Sequence, residues 1–283
     1  MRVKGIAVAA ATVTAGVGGV LAYTVARVQG RAAGDVEEFL ASTPARERPV
    51  VVAGASIVRG RASVDFVQML RERFPSRTLV NAGVNGNVAW ELLQRTDRII
   101  ACRPSQVVIL IGTNDVQATL TPDAMRSTRE SKHLPEDPSL GWYAACLRDT
   151  VVRLQGAGVN VALCSLPPIG QDLDAPVNAV VREANNAIQD VCVETGAAYL
   201  PVYERLTDLL ASQGATSGPA WTGSWAPGTA SLVEHFALGR SYDAIALARG
   251  WVISPDGVHM DSTGASIIAD LAADWLERQP STA

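Results

Sequence analysis

Histidine is scarce in this chain, with three among 283 residues. A zinc hydrolase of the H-E-x-x-H type needs two on one helix face, and no such motif occurs. Cysteine is nearly as rare. Cys102, Cys146, Cys164 and Cys192 form no C-x-x-C pair, which removes dithiol redox and zinc-knuckle chemistry and leaves four buried free thiols as the expectation. There is no basic surplus. Twenty-four Lys and Arg against 28 Asp and Glu give a net charge of −4, so no electrostatic footprint for nucleic acid exists. No G-x-G-x-x-G follows a strand pattern, and Gly54 to Gly60 lacks the lysine of a phosphate loop, which argues against a nucleotide-binding fold. Nothing in the chain calls for a metal or an organic cofactor. Aromatic residues are few, yet Trp221, Trp225 and Trp251 gather in one late segment. Apolar residues make up 48% and charged residues 18%, enough for one large α/β domain with a short appendage.

Charge is wholly missing from Gly5 to Ala26. Arg2 and Lys4 precede this run, and Arg27 and Arg31 follow it. As a helix it would extend roughly 33 Å at ~1.5 Å per residue, the span of a bilayer core. It is long for a signal-peptide core, which favours an uncleaved anchor, although Thr24-Val25-Ala26 would serve as a cleavage site. The expected division is therefore a membrane anchor or signal segment over 1–32, a polar linker over 33–48, and a catalytic domain over 49–283 with an insertion at about 212–254. The domain is expected outside the cytoplasm, either tethered or secreted. A chain beginning near Ala33 would then hold every catalytic block.

Five apolar runs read as strands: Val50 to Ala53, Thr78 to Val80, Val107 to Ile111, Val159 to Leu166 and Ala197 to Leu200. The third is apolar on both faces, as a central parallel strand should be. Helical patterns alternate with them, and residues 117–141 read as a polar, irregular surface excursion. Alternation implies a parallel sheet with right-handed crossovers. The expected fold is a flavodoxin-like three-layer α/β domain with a five-stranded parallel sheet of order 2-1-3-4-5. Its ligands bind beyond the carboxyl ends of the strands.

Three of those strand ends carry chemistry. Ser56 follows strand one beside Gly54, as a nucleophile or merely a turn serine. Gly83 follows strand two, and Gly112-Thr113-Asn114-Asp115 follows strand three. A serine nucleophile needs a base that titrates near neutrality. His133 sits in a charged, solvated run and His235 among apolar neighbours. Only His259 combines a carboxylate at short spacing with a loop beside the last helix, in Asp256-Gly257-Val258-His259, where Asp256 can orient the imidazole or simply make a turn. An oxyanion would be received by the Ser56 N–H, the Gly83 N–H and the Asn114 side-chain amide. An α/β-hydrolase would require G-x-S-x-G, but Val58 stands at the last glycine position.

The order Gly54-x-Ser56, Gly83-x-Asn85, Gly112-x-Asn114-Asp115 and Asp256-x-x-His259 resembles the SGNH, or GDSL-type, hydrolases. The resemblance implies Ser56 as nucleophile, His259 as base, Asp256 as its orienter, and Ser56, Gly83 and Asn114 as the oxyanion hole. It implies metal-free cleavage of lipid, carbohydrate O-acyl or small carboxylic esters. Acyl transfer on the same triad, or a tethered binding module without turnover, are the alternatives. One departure is Ala55, where the family carries aspartate, which bears on how rigidly the serine loop is held.

Overall fold

The computed structural model describes residues 18–42, 48–214 and 220–278. In chain order it contains helix α1 (18–29), α2 (Val36–Ala41), strand β1 (Val50–Gly54), α3 (Ser56–Arg59), α4 (Phe66–Arg73), β2 (Leu79–Gly83), α5 (Ala89–Gln94), α6 (Thr96–Ala101), β3 (Gln106–Leu110), α7 (Thr113–Thr119), α8 (Pro122–Lys132), α9 (Leu140–Gly156), β4 (Asn160–Cys164), α10 (Pro176–Thr195), β5 (Ala198–Leu200), α11 (Val202–Ser212), α12 (Ala226–Phe236), α13 (Tyr242–Ala248) and α14 (Ser262–Arg278).

All strand pairs are parallel and the order is β2-β1-β3-β4-β5, as the alternation of apolar runs and helices implies. Every residue of β1, β2 and β3 is buried, which explains why these strands show no polar face. Gly54 pairs with Gly83 on one side and Leu110 on the other. The ends of β1, β2 and β3 are therefore level, and the loops that follow them open on one edge of the sheet.

The flanking helices fall into two packed groups. α4, α11 and α14 pack together, and α5, α9 and α10 form the second group. Fully buried Phe66 and Leu70 anchor α4, and Leu147 and Leu154 anchor α9, each worth about 1.5–3 kcal/mol by burial. Asp65 accepts the Gln68 N–H at the start of α4, and Ser139 accepts the Trp142 N–H at the start of α9. Each such cap is worth about 1 kcal/mol. Asp261 accepts the Gly264 N–H at 3.0 Å and so starts α14 directly after the His259 loop.

Two stretches differ from the sequence expectation. Residues 33–42 are packed rather than free. Asn81 donates its N–H to Gly34 O at 2.9 Å, Asp35 bridges to Asn81, and Arg71 donates to Ala33 O at 2.8 Å. β2 is an edge strand, and this segment covers its open hydrogen-bonding groups. Residues 43–47 of the expected linker lie outside the described residues. The second difference is the polar excursion after β3, which folds as α7 and α8. Thr121 caps α8 by accepting the Ala124 N–H, with Pro122 in its first turn. A polar helix without an apolar stripe leaves only such end signals to read.

Much of the expected anchor, residues 5–17, also lies outside the described residues. Among the described residues no helix is long and apolar enough to cross a membrane. α1 exposes Val20, Leu21, Tyr23 and Val25. Its end is joined to the domain: Asn85 donates to Val28 O at 3.1 Å, and Arg59 donates to Gln29 O and Gly30 O at 2.7 Å.

Candidate active site

Ser56 stands where β1 ends and α3 begins. As the first residue of a helix its N–H has no partner within that helix, and the hydroxyl is partly exposed in a cavity of about 200 Å³. His259 lies 203 positions later. What joins them is a short stitch. Val64 N–H donates to Met260 O at 2.9 Å, and Met260 N–H donates to Ser63 Oγ at 2.9 Å. The segment after α3 thus holds the His259 loop against the serine.

His259 Nε2 is 3.0 Å from Ser56 Oγ, and His259 Nδ1 is 2.8 Å from Asp256 Oδ2. The other carboxylate oxygen accepts the Val258 and His259 N–H groups, both at 2.9 Å. Burial alone would raise the Asp256 pKa. The His259 ring and these N–H donors outweigh it and bring it down to about 2. Burial by itself favours neutral His259, but the Asp256 charge and hydrogen bond raise its pKa above the ordinary histidine value. The result is a carboxylate that stays ionised and an imidazole that accepts a proton readily while its orientation is fixed.

Asn114, in the first turn of α7, also lines the cavity. One of its amide hydrogens is donated to Asn87 O at 2.9 Å, which leaves the second free to point at a ligand. The neighbouring Asp115 does not line the cavity. Its buried carboxylate accepts the Ala89 N–H at 3.0 Å and so starts α5. Burial pushes its pKa to about 7, against the lowering effect of that bond.

Gly83 is placed elsewhere than expected. Its N–H is already donated to Asn81 Oδ1 at 2.9 Å, and it is buried within β2. It is glycine for a packing reason: a Cβ there would lie 2.3 Å from Arg59 N in α3. The cavity is lined instead by Gly86, three residues on, with φ of +72° and no hydrogen bond from its N–H to another described residue. The Asn85-Gly86 pair, a strong turn signal, is the feature that marks it in the sequence. Two further lining residues, Val28 and Gln29, come from α1 and lie ahead of the domain boundary read from sequence. A chain beginning at Ala33 would lack this wall.

The rest of the lining comes from the insertion. α12 lies across the site with Gly228 and Leu232 in the cavity wall, and Trp225 stands at its mouth, 70% exposed. Arg249 fastens this helix to the His259 loop, donating to Pro227 O at 3.1 Å and to Pro255 O at 2.7 Å. Trp251 is buried against Gly257. His133 ends α8 in an exposed position, and His235 stacks on Tyr242 with Nδ1 against Arg240 O. Neither approaches the serine. The four cysteines are buried and free, and burial pushes Cys102 up to about 11 and Cys146 up to about 12. Among the described residues no group of His, Cys, Asp and Glu is arranged to hold a metal ion.

The sequence description of the GDSL-like lipase/acylhydrolase family matches residues 51–236. The chain belongs to this family. It is an ester-hydrolysing enzyme with the SGNH hydrolase fold. The match takes in Ser56, Gly86 and Asn114 and stops ahead of Asp256 and His259. Solved structures of the same fold include an acetylxylan esterase from Geobacillus stearothermophilus. It is 18% identical, with a TM-score of 0.58, over 84% of this chain and 98% of that one. A GDSL-like lipase from Bacteroides thetaiotaomicron is also 18% identical, with a TM-score of 0.56, over 86% of this chain and 95% of that one. Among curated proteins none matches the sequence.

Proposed function

We propose that the enzyme cleaves carboxylic esters through an acyl-enzyme on Ser56. The observation that carries this reading is the unbroken line from Ser56 Oγ to His259 to Asp256, at 3.0 and 2.8 Å. Ser56 Oγ attacks the carbonyl carbon and its proton passes to His259 Nε2. The carbonyl electron pair moves onto oxygen, which receives the N–H groups of Ser56 and Gly86 and the free amide hydrogen of Asn114. Collapse expels the alcohol, which takes the proton from His259. Water then gives a proton to His259 and attacks the acyl carbon, and Ser56 leaves with that proton restored.

The acyl group occupies the cavity walled by Val28, Ile57, Ala62, Leu232 and Val258. The alcohol is a small, lipid or carbohydrate moiety. The acetylxylan esterase among the similar folds makes acetylated saccharides the first to assay, beside an acyl-length series of simple esters. Release of one acid per alcohol, lost in Ser56→Ala, supports hydrolysis. Release of alcohol without acid, only when a second alcohol is supplied, would indicate acyl transfer.

The reading includes a membrane tether through residues 5–26, with the catalytic domain outside the cytoplasm. The uncharged run in the sequence supports it, and so do the exposed apolar side chains of α1. Full-length protein should sediment with membranes in high salt. Wholly soluble, uncleaved full-length protein would contradict the tether.

A further inference from the structure

The strand-end loops that carry Ser56, Gly86 and Asn114 come from three separate strands, and one side chain touches the supports of the first two and reaches the third through Asn87. Arg95 follows the last turn of α5 and points back beneath the site. Its Nη2 donates to Gly54 O at 2.9 Å, two residues before Ser56. Its Nη1 donates to Ala82 O at 2.8 Å, near the end of β2. Its Nε donates to Asn87 Oδ1 at 2.9 Å, directly after Gly86. Asn87 in turn accepts the Asn114 amide through its backbone oxygen at 2.9 Å. One planar fork therefore spans β1, β2 and the β2–α5 loop, and reaches the β3–α7 loop through one intermediary.

The three acceptors are all neutral. The acidic side chain whose charge acts on it is Glu91, whose carboxylate is engaged by the Val88 N–H and by Lys132. Ala55 provides no carboxylate either, at the position where the family resemblance leads one to expect aspartate. Burial lowers the Arg95 pKa to about 10, which still leaves it charged at neutral pH. A positive charge without a bonded counter-ion thus sits under loops that receive a developing negative charge. In a water-poor setting such a charge acts more strongly than at the surface.

We propose that Arg95 is a positioning residue for transition-state stabilisation, holding the Ser56, Gly86 and Asn114 donors in one constellation. Lysine would keep the charge but cannot span three acceptors with a fork. Glutamine would lose the charge as well. The purpose served is different from that of a simple strut. A strut contributes to folding alone, whereas a positioning residue changes turnover in molecules that are already folded.

The proposal rests on the esterase reading, and wild-type turnover with Ser56 labelling tests that reading separately. The experiment compares wild type, Arg95→Lys, Arg95→Gln and Asn87→Ala as full chains. Sites are counted by covalent titration with a fluorophosphonate, and kcat is expressed per titrated site. Arg95→Gln should lower kcat per site roughly a hundred-fold with KM nearly unchanged, the pattern of a lost transition-state interaction. Arg95→Lys should fall between it and wild type. Asn87→Ala removes one link while keeping the backbone oxygen, and should lower kcat per site about ten-fold. It carries the test if Arg95→Gln does not fold. Unchanged kcat per titrated site in either folded Arg95→Gln or Asn87→Ala would overturn the proposal, as would a loss confined to KM or to the fraction of folded molecules.

Discussion

The sheet edge and the cover above it are built on different terms. At the edge, Ser56, Gly86 and Asn114 follow strands whose residues are all buried, and the loops are tied to one another by short polar contacts. The cover consists of α1 and α12. It shapes the cavity with Val28 and Leu232 but exposes apolar groups, with Trp225 at the start of α12 at 70% and Val25 of α1 at 58%. Donors that meet a developing charge need fixed geometry, and a buried scaffold supplies it. A wall that selects an acyl group need only have the right shape. The comparison predicts that changes at the edge alter kcat, and changes in the cover alter which ester is preferred.

The largest effect among the graded variants should follow Asp256→Asn. It removes the charge that fixes the imidazole and should lower kcat by roughly 10⁴-fold. It should also move the pH profile. The base works when unprotonated, so activity rises as pH passes upward through the His259 pKa. Asp256 raises that pKa against the effect of burial. With the charge gone, burial dominates and the acid limb should move to lower pH. An acid limb that stays in place would mean that Asp256 does not act on His259.

Next comes Asn114→Ala. Loss of one oxyanion donor should cost a hundred- to a thousand-fold in kcat, about 3–4 kcal/mol, with KM little changed. A well-folded variant with wild-type kcat would remove Asn114 from the site. The smallest effect belongs to the cover. Val28→Trp should shift preference towards shorter acyl chains by about ten-fold in relative kcat/KM. Melting temperature should hardly move, because the bond that ties Val28 to Asn85 runs through its backbone oxygen, which tryptophan keeps. An unchanged acyl-length profile would mean that α1 merely lies near the cavity. Conversely, equal loss of kcat on every ester would erase the distinction between edge and cover.

How much of this was legible in the sequence follows the same division. The central strand is apolar on both faces and the other strand runs are short, largely apolar and alternate with helices, so the number and parallel order of the strands could be read without a structure. Ser56, Asp256 and His259 stood out because histidine is so rare and only His259 joins a nearby carboxylate to a loop just ahead of the last helix. Gly83 and Gly86 could not be separated by composition. The distinction depends on which glycine lies within a strand packed against α3 and which lies in the turn beyond it. The cover was the least legible. Val28 and Gln29 follow directly on an uncharged run that reads as an anchor, and nothing local shows that their backbone is held by Asn85 and Arg59. The segment covering the edge of β2 was equally hidden, since a polar stretch that pairs through its backbone looks like a linker.

The triad is tested most directly by the pH dependence of covalent labelling at Ser56. A fluorophosphonate should attach once, at Ser56, as located by peptide mass mapping. Its rate should rise along a single titration that inflects above about 6.5, the ordinary histidine value, because Asp256 raises the His259 pKa. The label should disappear in Ser56→Ala, and the titration should disappear in His259→Ala. Labelling at another residue, or a rate at Ser56 that does not change with pH through the histidine range, would contradict a serine activated by His259.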